Sequence, residues 1–278
     1  MNLDITAPPV RIGAVTYLNA RPLVETLVAG DPGLDIIFDH PSRLADALAA
    51  GRLDVAMIPS IEYARQPGCT IISDACIACD GAVRSVKLYG RTAVERIRTL
   101  ALDEGSRTSA ALSLILLKER FGIAPDTCRL PIGAPIDNAE ADAVLMIGDR
   151  GIGMAGGCFE FVWDLGEEWS SWTGLPFVFA LWIARPGAEL PGVSAALSRA
   201  RDAGLGCLEQ IARREASKVG LSERDCLSYL RDNLKFHFGP RQQEALRRYY
   251  DLAGRHGLAP ADVRLVFHAN AGFHESVG

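Results

Sequence analysis

The feature that most constrains this chain is a regular exchange, over its first third, of short β-branched apolar runs with helix-forming segments. Val10–Val15 is such a run, and Pro22–Ala29 reads as the helix after it, opened by a proline suited to a first helical turn. Leu34–Phe38 is the next strand, residues 42–50 a helix stopped by Gly51, and Leu53–Ile58 a third strand, with a short helix opening near Ser60. Strands that alternate with helices at this spacing build βαβ units around a parallel sheet. The unbroken apolar run Val55-Ala56-Met57-Ile58 fits a strand covered on both faces.

From Thr70 to Tyr89 the pattern becomes two extended segments parted by Asp80-Gly81, and a second α/β series follows. Its parts are a strand at Thr99–Leu102, a helix at Thr108–Phe121 ended by Gly122, a strand near Cys128–Leu130 and another at Ala143–Ile147. Phe177–Ala184 is a further apolar extended run. After Pro186 the chain reads as helical: Val193–Lys218, Glu223–Leu234 and Arg241–Arg255. The expected architecture is α/β, with two lobes joined at a hinge by extended crossings near residues 84–92 and 174–184. Residues 1–91 plus 176–278, with the C-terminal helices, form one lobe and residues 92–175 the other. Such molecules hold small ligands in the interlobe cleft, beyond the carboxyl ends of parallel strands.

Composition closes off other classes. With 49% hydrophobic and 23% charged residues the chain is too apolar to be disordered. The net charge is −5 and no basic run carries interleaved aromatics, so no nucleic-acid partner is expected. The apolar stretches 112–117 and 175–184 fall short of the roughly 20 residues that a membrane helix needs. Met1–Pro9 shows no positively charged start to an apolar segment, and a cytoplasmic location is expected. Seven cysteines, an odd number, do not make a disulfide framework. Cys76-x-x-Cys79 lacks a second ligand pair, and His40, His237, His256, His268 and His274 make no pair at metal spacing. No metal is expected, and Ile71–Ala78 reads as a strand with core cysteines rather than a redox helix start.

The residues just past each strand are the candidates for chemistry. Asn19 follows the first strand, either as a helix cap or as an amide facing the cleft. Ser60 follows the third, either as a cap or as the mouth of a helix start that suits a carboxylate. Before the long helix, Ser106, Thr108 and Ser109 supply three hydroxyls where one cap would suffice. Arg107 sits at the positive end of that helix, calling for a negative partner: Asp103, Glu104 or an anionic ligand. Gly151-Ile152-Gly153-Met154-Ala155-Gly156 imitates a dinucleotide fingerprint, but an alternating aromatic segment follows it instead of a helix, so no nucleotide cofactor is expected.

Taken in order, these segments resemble the chorismate dehydratase family of the futalosine route to menaquinone, over residues 10–258. The carrying pieces are Arg11-Ile12-Gly13 through Tyr17-Leu18-Asn19-x-x-Pro22, Ile58-Pro59-Ser60-x-Glu62-Tyr63, Ser85-Val86-x-Leu88, Ser106-Arg107-Thr108-Ser109, Ile147-Gly148-Asp149 and Thr173-Gly174-Leu175-Pro176-Phe177-Val178-Phe179-Ala180-x-Trp182. The resemblance implies a type II periplasmic-binding-protein-like fold, no cofactor, and loss of water from chorismate to give 3-[(1-carboxyvinyl)oxy]benzoate. It implies Asn19 and Asp149 at the chemistry, with Tyr17, Ser60, Ser85, Ser106, Arg107, Thr108 and Ser109 holding substrate. A sister family, 1,4-dihydroxy-6-naphthoate synthase, carries a catalytic histidine near Gly148-Asp149, and this chain has none there. A solute-binding protein without chemistry shares the fold. The general base is open between Asp149, another residue and the substrate's own enolpyruvyl carboxylate.

Overall fold

The computed structural model describes residues 8–27, 33–153 and 158–268. The N-terminal segment 1–7, the end of the first expected helix at 28–29, the second half of the glycine motif and His274 lie outside the described residues. Strand β1 (Val10–Val15) leads through a short turn into α1 (Arg21–Val24), then β2 (Leu34–Asp39), α2 (Pro41–Ala49), β3 (Val55–Pro59), α3 (Ser60–Arg65) and β4 (Thr70–Cys79). The middle of the chain forms β5 (Val86–Gly90), β6 (Thr99–Asp103), α4 (Arg107–Phe121), β7 (Asp126–Leu130), β8 (Ala143–Ile147), α5 (Asp149–Gly153), β9 (Phe161–Asp164) and α6 (Leu165–Thr173). It returns through β10 (Phe177–Ala184) to α7 (Val193–Leu205), α8 (Leu208–Glu215), α9 (Glu223–Ser228), β11 (Leu234–His237) and α10 (Pro240–Arg255).

Two sheets result, β11-β4-β10-β3-β1-β2 and β7-β6-β8-β5-β9. β1 runs parallel to β2 and β3, and β6 parallel to β7 and β8, as βαβ alternation requires. The sheets are nevertheless mixed, not parallel throughout. β10 enters the first sheet from the other lobe and runs antiparallel to β3 and β4, and β5 runs antiparallel to β8 and β9. β5 also corrects the expected division at residue 91, because its pairing puts Val86–Gly90 in the second sheet. Every residue of β3, β8 and β10 is buried, which explains why these strands are apolar without alternation.

The C-terminal region departs most from expectation. The single helix expected over 193–218 is broken between α7 and α8 at Gly206-Cys207, whereas the helix expected over 223–234 runs as α9 to Ser228 and continues in π form to Asn233. A π turn at Tyr229–Asn233 then delivers β11 as an antiparallel edge strand beside β4. Among the described residues, no helix is long and apolar enough to cross a membrane.

The crossings between lobes are tied at one carboxylate. Asp164 accepts the N–H groups of Val83 (2.9 Å) and Arg84 (2.5 Å) from one crossing. The same side chain caps α6 through Gly166 N–H (3.0 Å) and Glu167 N–H (3.2 Å) at the start of the other. Gly166 permits this approach, since a Cβ there would lie 2.5 Å from Cys79 Sγ and 2.6 Å from the Gly81 carbonyl oxygen.

Candidate active site

The carboxyl ends of β1, β3 and β8 converge between the two sheets on a cavity lined from both lobes. Its polar lining is Tyr17, Asn19, Ser85, Ser106 and Ser109, and its walls are apolar, with Val15, Val86, Ile147 and Phe179 among them. No Asp, Glu, His, Lys or Arg is among the described residues that line it.

Asn19 sits in the short turn Leu18–Ala20 between β1 and α1. It is not a cap: Ala20 holds that position and makes no side-chain cap bond. Asn19 Oδ1 is buried with no hydrogen-bond partner among the described residues. An unsatisfied buried acceptor beside a cavity is costly unless a ligand completes it. Ser106 does cap α4, its Oγ accepting the Ser109 N–H at 3.3 Å, and the two hydroxyl oxygens lie 2.9 Å apart. Both residues also line the cavity, so the helix cap and the cavity wall coincide here. Ser85 is fully buried at the end of the first crossing.

Tyr17 enters the opposite lobe. A Cβ on Gly148 would lie 2.8 Å from Tyr17 Cε1, and one on Gly105 would lie 2.9 Å from Tyr17 Oη, so these two glycines form the berth of the ring. Gly148 also has φ +68°, which L side chains seldom adopt. The hydroxyl lies 3.1 Å from His40 Nδ1. Burial pushes the phenol well above its usual range and pushes the His40 imidazolium down. None of the cleft motifs in the sequence contains a histidine. Parallel pairing of Val15 with Asp39 is what brings His40 alongside Tyr17.

Three expected ligand residues do not line the cavity. Ser60 is completely buried, donates to the Val178 carbonyl at 2.7 Å and caps nothing. Thr108 Oγ1 accepts the Ile61 N–H at 3.2 Å, which occupies the helix start once read as a carboxylate site. Arg107 pairs with Glu62 (3.0 Å) and Asp46 (2.8 Å), so neither Asp103, Glu104 nor a ligand supplies its counter-charge. The common reason is that α4 packs against α3 across the lobe boundary, turning the outer side of its first turn toward protein. The cavity-facing side keeps Ser106 and Ser109.

Both nearby carboxylates are likewise engaged behind the lining. Asp103 accepts the Gly105 N–H at 2.9 Å and pairs with Arg150 at 2.5 Å, and burial still pushes its carboxyl upward. Asp149 Oδ1 accepts the Leu18 N–H at 2.9 Å, and burial pushes its carboxyl up too. The glycine motif begins inside α5, a five-residue helix that starts at Asp149 rather than on the glycines. A Cβ on Gly151 would lie 2.6 Å from the Ser85 carbonyl oxygen, so that glycine serves close packing. Cys76 and Cys79 are fully buried in β4, where burial pushes both thiols up, whereas Cys128 and Cys158 are exposed.

Of the apolar lining, Pro59, Val86, Ile147, Phe179 and Ala180 fall inside the motifs that carry the family resemblance, whereas Pro41, Ile77 and Val83 lie outside them and carry no signal of their own.

Two lobes, two mixed sheets and a cavity between them define a periplasmic-binding-protein-like molecule. Solved structures agree in fold. A protein from Archaeoglobus fulgidus matches at TM-score 0.69 and 18% identity, covering 90% of this chain and 98% of that one. The alkanesulfonate-binding protein of Xanthomonas axonopodis pv. citri matches at TM-score 0.60 and 15% identity, covering 92% and 96%. The family described as menaquinone biosynthesis matches residues 10–255. A chorismate dehydratase from Thermus thermophilus is 30% identical over 264 residues, 88% of this chain and 96% of the relative. The chain belongs to this menaquinone biosynthesis family and is a homologue of chorismate dehydratase.

Proposed function

We propose that the protein removes water from chorismate to give 3-[(1-carboxyvinyl)oxy]benzoate. The observation that carries this reading is the make-up of the cavity: hydroxyls, one amide and apolar walls, with no charged side chain. Chorismate brings two carboxylates. The Ser106 and Ser109 hydroxyls, with the first-turn N–H groups of α4 that have no partner within the helix, suit one of them. Each such charge-assisted bond contributes about 1.5–3 kcal/mol.

The enolpyruvyl carboxylate then stays without a cationic partner, in apolar surroundings that favour its protonated form. It is tethered beside the ring C–H at the ether-bearing carbon, and it is the base in this reading because Asp103 and Asp149 are both turned away. It takes that proton, the C–H electron pair becomes a ring double bond, and the neighbouring C–O bond breaks. Hydroxide departs and leaves as water with the transferred proton. Asn19 Oδ1, an acceptor awaiting an O–H donor, fits the ring hydroxyl before it leaves, and the amide N–H groups fit the charge that develops on it. Aromatisation drives the step, so the protein's task is to hold the geometry and exclude water. The sister naphthoate synthase chemistry is disfavoured because no histidine is among the described residues that line the cavity.

Purified protein incubated with chorismate should yield an aromatic product lighter by one water. Asn19→Leu should fold and lose at least about 100-fold in turnover, the usual cost of one preorganised donor. Unchanged chorismate with the wild-type protein would refute the reaction. Near-wild-type turnover by Asn19→Leu would remove the amide from the chemistry.

A further inference from the structure

Asp149 has the place of a catalytic carboxylate in the sequence, directly after β8 at the cavity's edge. Its geometry points elsewhere. Its Oδ1 accepts a backbone N–H, that of Leu18, one residue before Asn19 and in the opposite lobe. On the other side of Leu18, the Tyr17 ring fills the notch made by Gly105 and Gly148, also in the opposite lobe. The turn that presents Asn19 is therefore gripped at two successive residues by the lobe across the cleft.

We propose, resting on the functional reading above, that Asp149 is a positioning residue: with the Tyr17 berth it latches the 17–19 turn so that Asn19 meets substrate only when the lobes are closed. Three observations converge on it. The amide oxygen of Asn19 has no hydrogen-bond partner among the described residues, so no bond of its own fixes its aim. The turn is a single three-residue 3-10 turn with no side-chain cap, so its local hydrogen bonds alone hold it weakly. The two grips come from consecutive residues, Gly148 and Asp149, so a shift of that one segment moves both together.

The latch and a general base make opposite demands on Asp149. A latch needs an acceptor oxygen, which asparagine keeps; a base needs a titrating carboxylate, which asparagine lacks. The test compares Asp149→Ala with Asp149→Asn, reading kcat and KM for chorismate and, separately, backbone hydrogen exchange at Leu18 in the free protein. We expect Asp149→Ala to lower kcat with little change in KM and to speed Leu18 exchange, because the protecting bond is gone. Asp149→Asn should restore slow exchange and bring kcat back to within about threefold of wild type, where loss of a general base would cost about 100-fold or more.

An asparagine variant that is inactive while Leu18 stays protected would overturn the proposal and make Asp149 the base. Leu18 exchange unchanged in Asp149→Ala would overturn it as well. If Asp149→Ala does not fold, the asparagine variant and its exchange profile decide alone. Should the wild-type protein fail to dehydrate chorismate, the functional reading falls, while Leu18 exchange still reports on the latch.

Discussion

Thr108 and Ser109 are neighbours on one helix turn, yet the structure gives them separate tasks. Thr108 Oγ1 satisfies the Ile61 N–H across the lobe boundary, whereas Ser109 lines the cavity. Their variants should therefore divide. Ser109→Ala should weaken chorismate binding about tenfold, equivalent to roughly 1.4 kcal/mol, with stability little changed because Ser106 still caps the helix. Thr108→Val should leave a buried N–H unpaired and lower unfolding stability by about 1–3 kcal/mol. Isothermal titration and urea unfolding measure the two effects. Equal binding losses in both variants would place Thr108 in the cavity and overturn the division. The sequence showed three clustered hydroxyls but not which way each faces, since that depends on a helix from the other lobe.

At the scale of elements, the crossings rest on Asp164, whose carboxylate gathers four N–H groups from two segments. One of its partners, Arg84, has φ +63°, a conformation that a non-glycine residue keeps only when its surroundings hold it. Asp164→Ala should lower unfolding stability by at least about 2 kcal/mol, combining a lost helix cap with lost bonds to a charged acceptor. Asp164→Asn should cost less, since Oδ1 receives three of the four bonds. A loss below about 0.5 kcal/mol for the alanine variant, the size of an ordinary surface change, would mean the crossings are held elsewhere. Elements that are buried on both faces were legible from sequence: Ala143–Ile147 and Phe177–Ala184 form strands at the expected residues. Elements defined by neighbours were not. Leu234–His237 is four residues long, half polar, and becomes a strand only by lying beside β4. Gly204 in α7 is likewise set by tertiary contact, since a Cβ there would lie 1.8 Å from the Pro22 carbonyl oxygen, and no local pattern shows that.

For the whole molecule, the two lobes are fastened to each other by contacts across their boundary. Tyr249 Oη donates to the Thr108 carbonyl at 3.0 Å, His256 meets Glu119 at 2.7 Å, and Arg107 bridges to Glu62 and Asp46. The exposed pairs among these are worth little individually, because water screens them and side-chain entropy opposes them. A ligand that touches Asn19 from one lobe and Ser106 and Ser109 from the other adds a bond across the same boundary, so it should stabilise the closed, folded form. At about 100 times its dissociation constant a ligand adds roughly 2.7 kcal/mol. For a chain of this size that corresponds to a rise in Tm of about 5 °C or more. Chorismate and 3-substituted benzoates should produce that rise in a thermal unfolding scan. NAD and ATP should not, because the cavity has no cation for a phosphate and the glycine motif opens no helix of its own. Stabilisation by a nucleotide, with none by chorismate, would remove the carboxylate-binding role from Ser106 and Ser109 and the dehydration chemistry with it.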